Sequence, residues 1–272
     1  MAGMRTPWHV VTASVTGPNH VAGNVGNQDR FGVRDLGDGR QLFAVADGAG
    51  SRKLAERGAQ FAVAAAVAAA GRQLTQPPDT LAGWLTVADK FAADCIGEFD
   101  GLVDRDIRDR LGHQSGPRNV AAERPAYGTT LLAVIGAPPC YVFLSVGDCY
   151  LVVDREPGGP QLVVSTPARE NSGTTVFMTS SNRDSLKQAG VIVDERIRAL
   201  ALLTDGLYEA LLELRRGPSG RTHAAAPADF RAYFHYFADP QADPRDLTAK
   251  IERDFGATSN DDKTIVLAVR RS

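Results

Sequence analysis

The order in which hydrophobic patterns follow one another constrains this chain more than any single motif. Short β-prone runs come first, at Trp8–Val15, Arg30–Asp35 and Gln41–Ala46. Two long helical patterns follow, from about Ala55 to Leu74 and from about Thr80 to Leu111. Strand patterns then dominate: Thr129–Ile135, Tyr141–Val146, Tyr150–Asp154, Gln161–Ser165, Thr174–Thr179, Gly190–Val193 and Arg198–Leu203. Leu207–Leu214, Ala228–Phe237 and Pro244–Phe255 read as helices, and Thr264–Val269 as a closing strand. Helices gathered in blocks argue against a doubly wound parallel sheet and for antiparallel sheets flanked by helices. A last strand returning to the sheet begun at the N-terminus would tie residues 1–272 into one domain.

Local signals sharpen this outline. Gly37-Asp38-Gly39 predicts a hairpin turn, and Gly17-Pro18-Asn19 predicts a turn after the first strand. Pro77-Pro78-Asp79 stops the first helix and offers Asp79 as N-cap of the second, which is expected to break near Gly97 or Gly101. The polar stretch from Gly112 to Pro125 reads as a surface loop, and Trp84 and Phe91, seven apart, as a core-facing stripe.

Charge and composition exclude several functions. The 30 basic and 32 acidic residues leave a net charge of −2, without the basic excess of a nucleic-acid binder, so a nuclease or other phosphodiesterase is disfavoured. No apolar run reaches the ~18 residues of a membrane span, and the opening residues lack the charged-then-apolar order of a secretory signal. Cys95, Cys140 and Cys149 are odd in number and form no CxxC pair, which points to a reducing compartment. A cytoplasmic protein with neither membrane nor nucleic-acid partners is expected. His9, His113, His223 and His235 lack metal-ligand spacing, and no Walker loop or serine nucleophile elbow is present. Cys149, beside Asp148, reads as a plain buried thiol, with a redox-sensitive thiol as the alternative.

The informative residues are acidic ones that border apolar runs. Asp29 precedes a strand, Asp47-Gly48 ends Leu42–Ala46, Asp148 follows Leu144–Gly147, Asp205-Gly206 follows Ala201–Thr204, and Asp261-Asp262 precedes the closing strand. A carboxylate beside a buried strand is costly to desolvate unless something neutralises it. A hard divalent cation such as Mg²⁺ or Mn²⁺ does so through oxygen ligands. Any one Asp-Gly pair is more simply a turn dipeptide; five such borders together predict a shared cation site.

These motifs, in this order, resemble those of the metal-dependent protein phosphatases of type 2C. Gly26-Asn27-Gln28-Asp29 is similar to that family's opening Asn-Glu-Asp, and Ala46–Ser51 to its Asp-Gly-x-Gly-Gly loop, with Ala55-Glu56 at the start of its first helix. Gly128-Thr129-Thr130, Val146–Cys149, Thr204–Glu209 and Asp261–Thr264 resemble its later motifs. The resemblance covers nearly the whole chain. It implies an α+β, four-layer α-β-β-α sandwich, two antiparallel sheets flanked by helices, with a binuclear Mn²⁺ or Mg²⁺ centre at one end. Asp47 would bridge the ions with the Gly48 carbonyl on one of them, Asp205 and Asp261 would complete the shell, and Asp29 would sit in or beside it. Asp148, with Asp205, matches a third, weaker site of the family's bacterial members. The implied activity is direct attack of a metal-activated water on phosphoserine or phosphothreonine in a protein, opposed by a cognate Ser/Thr kinase in a bacterial signalling circuit.

This sequence also departs from the family. Its phosphate-binding Arg, five residues before the first Asp, is Asn24 here, and nearby His20 is a candidate replacement with weaker phosphate-clamping geometry. Gln28 replaces an acidic residue and Cys149-Tyr150 replaces Ser-Arg. Glu170-Asn171 with Thr174-Thr175 ahead of Val176–Met178 is similar to a divergent bacterial branch. The alternative reading is a pseudophosphatase, a binding module that keeps the fold with weak or no turnover.

Overall fold

The computed structural model describes residues 8–73, 77–114, 116–164, 175–217, 222–239 and 241–271. In chain order its elements are β1 (Trp8–Val15), α1 (Pro18–Ala22), β2 (Arg30–Gly37), β3 (Arg40–Ala46), α2 (Ala55–Gln73), α3 (Leu81–Leu111), α4 (Pro117–Glu123), β4 (Leu131–Ala137), β5 (Cys140–Val146) and β6 (Tyr150–Arg155). They continue with β7 (Gly159–Val164), α5 (Arg183–Leu186), β8 (Gln188–Val193), β9 (Ile197–Leu203), α6 (Tyr208–Leu211), β10 (Glu213–Arg216), β11 (Thr222–Ala225), α7 (Arg231–Ala238), α8 (Pro244–Lys250) and β12 (Lys263–Arg270).

Two five-stranded sheets, ordered β1-β12-β9-β6-β7 and β2-β3-β4-β5-β8, are antiparallel throughout. α2 and α3 cover the outer face of the second sheet, and α7 and α8 cover the first. The expected four-layer sandwich is therefore the observed one. The near-continuous apolar strands follow from it, because both faces of each sheet are covered. In β3 all seven residues are buried: Leu42, Ala44 and Ala46 face the helices while Phe43 and Val45 face the other sheet. Trp8 packs edge-on to Phe43 between the sheets, at 5.4 Å between ring centres. β1 and β12 pair from Trp8↔Arg270 to Val15↔Lys263, as expected of a closing strand.

Several local expectations are corrected. α3 runs unbroken through Gly97 and Gly101, since both glycines face open space while Phe91, Cys95, Phe99, Val103 and Ile107 keep one stripe buried. Each glycine costs about 1 kcal/mol against alanine, whereas one buried Phe contributes about 3–5 kcal/mol. Its N-cap is Thr80, not Asp79: Thr80 Oγ1 accepts the Gly83 N–H at 3.1 Å. The 112–125 loop contains α4, started by Pro117 at its first turn. Residues 175–179 form no strand, and Thr174 lies outside the described residues, as do Ser165, Glu170 and Asn171. Leu207–Leu214, expected to be a helix, is a short helical turn followed by β10, which pairs with β11.

Candidate metal centre

Strand register decides which acidic residues meet. Arg30 pairs with Ala46, so Asp29 and Asp47 lie side by side at one end of the second sheet. Leu203 pairs with Ile265, so Asp205 and the residues before β12 share one end of the first. The two sheet ends are joined by a hydrogen bond from Thr204 Oγ1 to Asp29 Oδ2 at 2.8 Å. Carboxylate oxygens of Asp47, Asp205 and Asp261 lie within 4.8 Å of one another. A second grouping of the same width joins His20, Asp261 and Asp262.

The main chain around Asp47 is held from β4. Its N–H donates to Thr130 Oγ1 at 2.9 Å, and its carbonyl accepts from the Thr130 N–H and the Thr129 hydroxyl, both at 2.8 Å. Gly48 and Gly206 are there because of close approach rather than turn geometry. A Cβ on Gly48 would lie 2.8 Å from the Gln28 carbonyl oxygen, and one on Gly206 would lie 1.9 Å from that of Asp262. The Asp-Gly pairs are thus packing solutions at strand ends, where no side chain fits.

Asp262 holds the loops. Its Oδ1 accepts the Gly17 N–H at 2.7 Å, and its Oδ2 accepts the Gln28 N–H at 2.6 Å and bonds His20 Nδ1 at 2.9 Å. This buried carboxylate gathers α1 and the segment before Asp29 around Asp261. Lys263, also buried, donates from Nζ to the carbonyls of Ser259 and Asp261 at 2.7 and 2.9 Å. Burial lowers its pKa, against the opposing pull of Asp261, Asp262 and Asp29.

The electrostatics are those of too many carboxylates in one place. Burial pushes the Asp29 carboxyl up to about 8, with the neighbouring charges of Asp262 and Asp205 adding and the Thr204 hydroxyl opposing. Asp47 is raised well above the usual carboxylate range, first by burial and then by Asp29, Asp205 and Asp261. The Asp29 Oδ1 atom is buried without a hydrogen-bond partner among the described residues. That orphaned oxygen, beside three converging carboxylates, fits a hard divalent cation.

The expected ligands therefore divide. Asp47, Asp205 and Asp261 converge, with Asp29 adjacent to them and Gly48 packed beneath. Asp148 stands outside both groupings, buried after β5, where its Oδ2 accepts from the Thr175 hydroxyl at 2.7 Å. Of the two phosphate-binding candidates, His20 lies beside Asp261. Asn24 is exposed in a left-handed conformation, φ +51°, with no side-chain partner among the described residues. The positioning roles of Thr204, Thr130 and Asp262 escaped the sequence reading. The only local signal for them was a hydroxyl or a second acid next to an expected ligand.

A four-layer sandwich whose strand ends gather carboxylates in this way is suited to holding hard divalent cations. The chain belongs to the protein phosphatase 2C family, whose model matches residues 16–252. Asp261 and β12 lie beyond that match, yet the register of β12 carries Asp261 into the cluster. The fold is similar to that of the serine/threonine phosphatase Stp1 from Staphylococcus aureus, at 16% identity and a TM-score of 0.63 over 99% of this chain and 97% of that one. It is also similar to the Mycobacterium tuberculosis serine/threonine phosphatase PstP/Ppp, at 16% identity and 0.59 over 97% and 99%. A PstP catalytic domain in complex with two manganese ions gives 15% and 0.60 over 97% and 99%. No curated protein matches the chain.

Proposed function

We propose that the chain removes phosphate from phosphoserine and phosphothreonine in proteins with two Mn²⁺ or Mg²⁺ ions, acting as one catalytic unit over residues 1–272. The observation that carries this reading is the meeting of Asp47, Asp205 and Asp261 within 4.8 Å in a chain of this family. Asp29 and the Gly48 carbonyl complete the ligand set, and Asp148 serves a third, weaker site. The two manganese ions of the PstP complex support the same stoichiometry. Bound divalent cations supply the positive charge that offsets phosphoryl oxygens and acidifies water.

The chain's own residues orient that chemistry. Thr129 and Thr130 fix the Asp47 main chain, and Thr204 fixes one Asp29 oxygen. Asp262 holds His20 at the rim beside Asp261, where it is the phosphate-facing side chain in place of the arginine absent at Asn24. A kinase that phosphorylates the same serines and threonines is implied as the opposing activity. For membrane association, the only structural observation is that no helix among the described residues is long and apolar enough to cross a bilayer.

The test is hydrolysis of an aryl phosphate and of phosphothreonine peptides by the purified chain. Turnover should require Mn²⁺, stop on addition of EDTA, and fall at least a hundredfold in Asp47→Ala. Undiminished turnover in EDTA or in that variant would refute the reading.

A further inference from the structure

Lys263, the first residue of β12, is the one lysine of five that lies sealed inside the fold, at 1% exposure. An ammonium rarely leaves water unless its charge and its donors are met. Here the donors are met by the loop that carries Asp261. Lys263 Nζ donates to the Ser259 carbonyl at 2.7 Å and to the Asp261 carbonyl at 2.9 Å. The chain between those two carbonyls is thereby wrapped round a single buried cation.

The loop adds bonds of its own. The Ser259 hydroxyl accepts the Asp261 N–H at 3.1 Å, and Asp261 Oδ1 accepts the Asp262 N–H at 2.9 Å. The Asn260 carbonyl accepts the Asn19 N–H at 3.3 Å. On the other side the lysine stem runs past Gly206, where a Cβ would lie 3.4 Å from Lys263 Cγ. One side chain thus spans from the residue after Asp205 to the backbone of Asp261, two of the three converging carboxylates. Asp261 is exposed and stands two residues ahead of β12, so strand pairing alone does not fix it.

We propose that Lys263 is a positioning residue: it folds residues 259–262 round its ammonium and so holds the Asp261 carboxylate where it meets Asp47 and Asp205 to take up a divalent cation. The inference rests on the metal centre of the phosphatase reading above and gives a role to a residue outside the ligand set. The sign of the effect separates the roles a buried ammonium can play here. Removing a positive charge beside a cation site strengthens cation binding on Coulombic grounds alone. Weaker binding on losing Lys263 therefore comes from lost positioning, and losing a group that orients a ligand typically costs about 10- to 100-fold in metal affinity.

The experiment is a calorimetric Mn²⁺ titration of the full chain, Lys263→Met and Ser259→Ala, paired with the phosphothreonine-peptide KM of each at saturating Mn²⁺. Methionine keeps an apolar stem and removes the ammonium. Ser259→Ala removes the hydroxyl that accepts the Asp261 N–H and leaves Lys263 in place. Both should weaken the tightest Mn²⁺ binding, Lys263→Met by about tenfold or more, while the peptide KM stays as in the parent. Unchanged Mn²⁺ binding in Lys263→Met would overturn the positioning role, and tighter binding would overturn it by showing that the ammonium only repels the cation. Weaker binding with a raised peptide KM would also overturn it, because a general loosening of the site moves both. Should Lys263→Met fail to fold, Ser259→Ala decides, and unchanged Mn²⁺ binding there sinks the proposal. A parent that binds Mn²⁺ tightly yet hydrolyses no phosphopeptide would refute the phosphatase reading while the Mn²⁺ comparison still judges Lys263. A parent with no tight Mn²⁺ binding would overturn both.

Discussion

Thr204 Oγ1 donates to Asp29 Oδ2 at 2.8 Å across 175 residues, and this bond joins the end of β9 in one sheet to the start of β2 in the other. The same Thr204 oxygen accepts the Thr264 N–H at 2.9 Å, so one hydroxyl links three strand ends around the acidic cluster. Thr204→Val should destabilise the metal-free chain by about 1–3 kcal/mol, the cost of leaving buried polar groups unsatisfied. Thr204→Ser should recover most of it. Urea unfolding in EDTA reads this directly, and a Val variant as stable as the parent would show that the bond does not matter.

The raised Asp29 carboxyl has a consequence for pH. It titrates at about 8 in the fold, against about 3.9 in an unfolded chain. The folded state therefore binds the proton more tightly, and this contribution to stability is complete below about pH 4 and lost as the pH rises through 8. The melting temperature of the EDTA-treated chain should fall between pH 5 and 8, and Asp29→Asn should flatten that fall. Saturating Mn²⁺ should remove it, because a cation then stands where the proton stood. A metal-free melting temperature that climbs over this interval would contradict the assignment.

Cation binding to the folded chain alone should stabilise it by about 2.7 kcal/mol when free Mn²⁺ exceeds Kd a hundredfold. Asp47→Asn, which removes a member of the converging three, should blunt the Mn²⁺-induced rise in melting temperature. Asp148→Asn, outside that grouping, should keep most of the rise while losing turnover. Parallel melts and activity assays of the two variants separate the cases, and equal loss of stabilisation would merge the two sites into one.

Gly206→Ala tests whether packing or turn geometry keeps glycine after Asp205. Its Cβ would sit 1.9 Å from the Asp262 carbonyl oxygen, a backbone atom with little freedom to move. The expected loss is about 1–3 kcal/mol or more, with a weakened response to Mn²⁺ because Asp205 and Asp261 are pushed apart. Urea unfolding with and without Mn²⁺ measures both, and a neutral substitution would place the two strand ends further apart than described.

Much of this protein was legible in its sequence because the relevant physics is local. The seven buried residues of β3 show as a run with no polar alternation, the helices of α2 and α3 show as a 3.6-residue stripe, and the block order of elements limits the sheets to antiparallel layers. Carboxylates at strand borders advertised themselves because an acid next to an apolar run is costly without a partner. The break expected at Gly97 and Gly101 shows the limit of that reading, since a glycine's intrinsic cost says nothing of the stripe buried on the opposite face of the same helix.

Tertiary structure alone decided which acids meet. Asp29, Asp47, Asp205 and Asp261 lie beside four separate strand ends in two sheets, and a one-residue slip between β9 and β12 would break the alignment that brings Asp205 and Asp261 together. Asp148 has the same sequence signature as the others, yet its carboxylate is drawn to Thr175 and stays outside the converging three. Asp262 reads as a neighbour of a ligand and becomes the anchor of two backbone amides and His20. Residue spacing encodes which face a side chain takes, whereas the distance between carboxylates as far apart in sequence as Asp47 and Asp205 depends on how whole sheets stack and register. Sequence periodicity carries no information about that distance, and it decides whether these acids repel one another or together hold a cation.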